Sequence, residues 1–185
     1  MRQPGGSESG TIVPDSAEDV SVSVGSGFEP FYEANRDAIG RGLALMLDDA
    51  ALGFEAADEA MARAYERWDM IRDGSNPSGW VYRTGLNWAR SWLRRRRRSK
   101  DKAPLLARAD AVDERPVDTD LAEALKTLSD DHRAVVVLRY FNDWSVEQTA
   151  EALEIAPGTV KSRLSRALDE LNRQLEGRPE GGSAR

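Results

Sequence analysis

The chain has 185 residues and a formal net charge of −6, with no cysteine and a single histidine, His132. That length suits one domain or two small ones, and the composition excludes disulfides, thiolate metal sites, cysteine nucleophiles and most histidine-based triads. No apolar run follows Arg2 to make a signal peptide and no stretch is long enough to span a membrane, so a cytoplasmic setting is the default expectation.

Residues 1–27 are rich in Gly, Ser, Pro and acids and read as a disordered tail. From Phe28 to Leu47 the apolar residues Phe31, Ile39, Leu43, Met46 and Leu47 recur at mainly helical spacing, although Gly40 and Gly42 count against an unbroken helix. Asp48 to Gly53 breaks the pattern. A second helix is expected from Phe54 to Ile71, with Ala57, Met61, Ala64, Tyr65 and Trp68 on its apolar face and Asp58, Glu59 and Arg63 among the charges opposite. Asp73-Gly74-Ser75-Asn76 forms a turn, with Asn76 as N-cap and Pro77 at the first position of a third helix that runs to Arg98.

The third helix carries the first functional signal. Val81, Tyr82, Gly85, Leu86, Trp88, Ala89, Trp92 and Leu93 form a broad apolar arc. The narrower opposite arc holds Trp80, Arg83, Thr84, Asn87, Arg90 and Ser91, and Arg94 to Arg98 follow as five consecutive arginines. The helix dipole favours one or two cations at a C-terminus, but hardly five in a row. Cations track a phosphate backbone and an aromatic face stacks on an unpaired base, so single-stranded nucleic acid is the better reading.

Residues 99–120 contain Pro104, Pro116 and an acid-rich run without an apolar period, and read as a linker between two helical domains. Leu121, Leu125 and Leu128 begin a short helix. Ser129 caps the next, where Val135, Leu138 and Phe141 supply a face to pack on the last two helices, and His132 in its first turn has a surface role. Ser145 and Gln148 make a capping box that opens a helix to about Leu153. Glu154-Ile155-Ala156 is a tight turn, and Pro157 starts the last helix. There Val160, Leu164, Ala167, Leu168 and Leu171 lie on one face. Gly158, Thr159, Lys161, Ser162, Arg163, Ser165 and Arg166 occupy the other. A short turn between a capped helix and a helix with such a polar front is how a helix-turn-helix meets the DNA major groove. Residues 176–185 read as a second tail. A nuclease would need clustered carboxylates, whereas the pairs Asp48-Asp49 and Asp130-Asp131 sit at helix edges; no enzyme, catalytic residue, metal or cofactor is expected.

The carboxyl-terminal third, LSDDHRAVVVLRYFNDWSVEQTAEALEIAPGTVKSRLSRAL, closely resembles region 4 of bacterial extracytoplasmic-function (ECF) sigma factors of the sigma-70 family, with GTVKSRLSRAL the most specific run. The amino-terminal part resembles region 2 of the same family: ADEAMARAYERW its polymerase-binding helix, NPSGWVYRTGLNWARSWLRRRRR the helix that melts and reads the −10 element. The resemblance implies an all-α chain of two small helical domains, residues 28–98 and 121–175, on a flexible acidic linker. It implies binding to core RNA polymerase through Asp58, Glu59, Met61 and Arg63, and to −35 duplex DNA through Gly158 to Arg166. The opened −10 strand would be taken by Asp73 to Asn76, Trp80, Arg83, Thr84, Asn87, Arg90, Ser91, Arg94 and Arg95. An anti-sigma factor is a further expected partner; a membrane or small-molecule substrate is not. Acids such as Asp110, Asp113, Glu114, Asp118 and Asp120 would mimic RNA phosphates, or else form a solvated spacer. The sequence departs from the family at Asp58 (often Gln), Met61 (often Phe), Ser91 (often Asp), Glu154 (often Gly) and Ala156 (usually Ser). A helix-turn-helix repressor or activator acting without polymerase is the rival reading, and it leaves Trp80 and the arginine run unexplained.

Overall fold

The computed structural model describes residues 27–98 and 119–176, and among these there are helices and turns but no strand. The two tails, most of the acidic linker and the side chain of Asp120 lie outside the described residues.

Helix α1 (Phe28–Leu47) is unbroken, and its glycines are places where other elements come close. A Cβ on Gly40 would lie 2.5 Å from the Phe54 ring, and one on Gly42 would collide with Oδ1 of Asn142. The expected break after α1 shrinks to two residues. Asp48 ends α1 in the left-handed conformation, and α2 (Ala50–Glu66) begins at once because the Asp49 side chain accepts from the Leu52 N–H at 2.9 Å. Gly53 therefore lies inside α2, where it lets the backbone of Ala44 approach. Nor does α2 run on to Ile71. The chain kinks at Arg67, and a single turn, α3 (Trp68–Ile71), seats Trp68 against Phe28 and Phe31 with ring centroids 5.3 and 4.7 Å apart.

Helix α4 (Pro77–Arg98) starts as expected, with Asn76 Oδ1 accepting from the Gly79 N–H at 2.8 Å. Its buried face of Val81, Tyr82, Leu86 and Ala89 packs with Ile39 and Leu43 of α1 and a stripe of Ala56, Ala57, Ala60, Met61 and Ala64 on α2. The alanines bring three helices close, and burying each larger side chain contributes roughly 1.5–3 kcal/mol.

The remaining helices are α5 (Thr119–Thr127), α6 (Asp130–Val136), α7 (Val146–Leu153) and α8 (Pro157–Glu176). Ser129 caps α6, and α6 continues into a π-helical turn, Val137–Phe141, that the sequence did not announce. All of Ala134 to Leu138 is buried. Val135 faces Ala150 and Val160, while Val136 and Val137 face Leu125, Leu128, Ala167 and Leu171. Ala134 and Leu138 instead join the core of α1, α2 and α4, together with Trp144 and Ala152. Leu138 was expected to pack on the helix-turn-helix. A helix buried on every side cannot keep one inward face, and this one joins the two groups of helices.

Candidate nucleic-acid interface

The capping box of α7 is formed in both directions: Gln148 N–H donates to Ser145 Oγ at 3.0 Å and Ser145 N–H donates to Gln148 Oε1 at 2.8 Å. The turn follows through Glu154 in the left-handed region (φ 56°), with Ile155 N–H donating to the Ala150 carbonyl at 3.0 Å. Ala156 has no capping oxygen in its side chain, but its carbonyl accepts from Thr159 and Val160 N–H at 2.8 and 3.2 Å, which starts α8. Val160, Ala167 and Leu171 are buried, leaving Gly158, Lys161, Ser162, Ser165 and Arg166 exposed and Thr159 half-buried at the edge. Arg163 stands apart, paired with Asp131 of α6 at 2.6 Å. A Cβ on Gly158 would meet no other element of the described residues within 4 Å, so none of them requires glycine there.

The residues expected at the −10 strand divide between two recesses along α4. The first is a cavity of about 130 Å³ between the Gly74-Ser75-Asn76 turn and Trp80, Arg83 and Glu151. The second, about 390 Å³, is a polar trough between α2 and α4 lined by Arg63, Thr84, Asn87, Trp88, Ser91 and Arg95. Arg90 and Arg94 to Arg98 are exposed; Arg94 donates to Ser91 Oγ at 2.7 Å and Arg96 lies 5.0 Å over the Trp92 ring. Asp73 stands apart from both recesses. It does not line the first cavity, and its carboxylate points outward to Arg72 at 3.7 Å. Asn76 is buried because its amide is the cap of α4, and Gly79 must lack a Cβ for that amide to fit.

On α2, Asp58 takes a two-pronged contact from Arg36 (2.8 and 2.9 Å), and this hydrogen bonding holds the guanidinium pKa above its usual value. Glu59 pairs with Arg63 at 2.7 Å. Met61 cannot touch a polymerase as expected. It is 2% exposed, in the alanine stripe between α1 and α4, and acts only by packing.

The family model for sigma-70 region 4 matches residues 118–171. The RNA polymerase sigma-E factor of Streptomyces avermitilis is 34% identical over 154 residues, covering 82% of this chain and 86% of that protein. The chain belongs to the ECF RNA polymerase sigma factors. The ECF sigma factor SigL of Mycobacterium tuberculosis is 31% identical over 153 residues, covering 78% of this chain and 86% of SigL. The fold is also that of the sigma factor RpoE of Bartonella quintana, solved in complex with the anti-sigma factor NepR. That likeness has a TM-score of 0.65 at 23% identity, and covers 83% of this chain and 99% of that one.

Several residues that shape this sigma factor gave no signal in the sequence. Arg36 orients Asp58 from another helix, and Arg133 binds carbonyls at the ends of both α5 and α1. Gln148, Glu151 and Glu154 of the helix-turn-helix touch the first recess of α4. Gln148 was legible only as the partner of Ser145 in the capping box, and Glu154 only as a charged residue in a turn that favours glycine.

Proposed function

We propose that this ECF sigma factor binds core RNA polymerase and directs it to promoters, with α8 reading −35 duplex in the major groove and α4 with its preceding turn holding the opened −10 strand. The observation that carries the reading is the polar front of α8, where Lys161, Ser162, Ser165 and Arg166 stand exposed on a helix whose back is buried. Arg there pairs with guanine edges and the small hydroxyls with either base or phosphate. For the −10 strand the support is the half-buried Trp80 beside Arg83, the polar trough and the exposed arginines beyond it. Asp58, Glu59 and Arg63 would face polymerase with Met61 beneath them. An anti-sigma factor is the expected antagonist, as NepR is the partner of the Bartonella quintana protein in its complex.

Run-off transcription with purified core polymerase on a genomic promoter library tests the reading. Transcripts that start at discrete sites only when this chain is added are the expected result, and their upstream sequences define both elements. Tight binding to duplex DNA by the protein alone, with no such transcripts, would instead favour a repressor.

A further inference from the structure

One pair of side chains on the outer side of α1 and α2 is held more firmly than an exposed ion pair requires. Arg36 of α1 donates from Nε to Oδ1 of Asp58 at 2.8 Å and from Nη2 to Oδ2 at 2.9 Å. Its Nη1 donates to Asp37 at 2.9 Å, so one guanidinium serves two carboxylates. The guanidinium carbon lies 5.1 Å over the Phe54 ring. That ring lies against α1 because Gly40 has no side chain; a Cβ there would sit 2.5 and 2.6 Å from two of its carbons. Gly40, Phe54, Arg36 and Asp58 thus form a continuous chain of contacts from a helix backbone to an exposed carboxylate.

We infer that Arg36 is a positioning residue for polymerase binding: it holds the Asp58 carboxylate in one orientation, ready to accept from a donor group on core polymerase. This rests on the reading of α2 as the polymerase-facing helix. A carboxylate gripped by a guanidinium fork keeps a further lone pair on each oxygen. The Asp58 side chain is 51% exposed, which leaves those lone pairs open to a partner. A loose aspartate would lose rotamer freedom on meeting its donor, whereas one already fixed has lost it on folding. Without the guanidinium, Asp37 and Asp58 would repel each other, and the Asp58 carboxylate would turn away.

A purely structural role explains the arrangement less well. Ile39, Leu43 and Met46 of α1 already share a buried cluster with Leu52, Ala56, Ala57 and Ala60 of α2. An exposed ion pair adds little to such an interface. Yet glycine inside a helix is unfavourable against alanine, and Gly40 carries that loss where it lets Phe54 support Arg36. Glu59 and Arg63 make the contrast: they pair within α2 at 2.7 Å and need nothing from another helix. A lysine at position 36 would supply the same charge, but only the planar fork fixes both carboxylate oxygens.

The test compares affinities for purified core RNA polymerase, by competition with a fluorescently labelled wild-type chain. Arg36→Met keeps an aliphatic stem over Phe54 and removes the fork. It should weaken core binding by about three- to tenfold, the effect of leaving one more side chain to be ordered on binding. Arg36→Lys should weaken it nearly as much, although the charge is kept. In an Asp58→Ala background, itself weakened, Arg36→Met should add nothing. Wild-type affinity in Arg36→Met or in Arg36→Lys overturns the positioning role. A loss from Arg36→Met that persists undiminished without Asp58 means that Arg36 acts through the fold or by its own contact, and overturns it too. If Asp58→Ala binds core as the wild type does, while the wild-type chain still directs discrete transcripts, the inference fails and the sigma reading stands. A wild-type chain that does not bind core removes both.

Discussion

Tyr82 is fully buried at the meeting of α4 with Trp144, and its hydroxyl has no hydrogen-bond partner among the described residues. Removing an unsatisfied buried hydroxyl relieves a desolvation penalty of about 1–3 kcal/mol, whereas most aromatic core changes destabilise. Tyr82→Phe is therefore expected to hold or raise the melting temperature. Burial also holds the phenol pKa above its ordinary value of 10.0. The neutral form is favoured in the folded chain, so its contribution is complete below pH 10.0 and declines as pH rises beyond that value. Urea unfolding across alkaline pH should show a decline in the wild-type chain that Tyr82→Phe lacks. Gly158 is the opposite case, a glycine with open space around it at the start of α8. Gly158→Ala should stabilise the helix by up to about 1 kcal/mol. If the −35 backbone comes close there, the same change should weaken promoter-duplex binding several-fold in a fluorescence titration; unchanged binding would exclude that approach.

Arg133 links elements that the sequence could not pair. Its guanidinium donates to the carbonyls of Leu125 and Lys126 at 2.9 Å and of Met46 at 3.3 Å, satisfying the last turns of α5 and α1 together. Arg133→Ala should cost on the order of 2–3 kcal/mol in chemical unfolding. Arg133→Lys should recover little of this, because an ammonium cannot span the same fork of acceptors. Local devices were legible: the Ser145–Gln148 box, the Asn76 cap, the Ser129 cap and the apolar backs of α4 and α8 are each written within a few residues. The start of α2 was missed because Asp48 to Gly53 contains turn-favouring residues, one of which, Asp49, turned out to be the cap. The π turn was missed because the run Ala134 to Leu138 has no polar side from which to read a period. The exposed end of α4 carries its own prediction. Each arginine from Arg94 to Arg98 replaced by alanine should lower the log–log salt slope of single-strand binding by about 0.7 for each phosphate contact it makes.

At the scale of the molecule, what sequence reasoning left open was how the two helical groups sit together. Ser75 meets Glu151 and Arg83 meets Glu154 across more than seventy residues, and no periodicity records such pairs. The shared core makes the consequence measurable. Leu138, Trp144 and Ala152 lie with Leu43, Tyr82 and Leu86 in a single apolar cluster, so unfolding either group exposes apolar surface on the other. Calorimetry of the full-length chain should therefore give one transition whose van't Hoff and calorimetric enthalpies agree. Gly42→Leu acts at the seat of Asn142, outside the separate clusters that hold α5 and α8 to α6. It should split the single transition into two, each group melting without the other's support. Two independent transitions in the wild-type chain would mean that the shared core contributes little coupling. A single transition that survives the wedge would place the coupling elsewhere, in Arg133 and the Lys126–Asp48 pair.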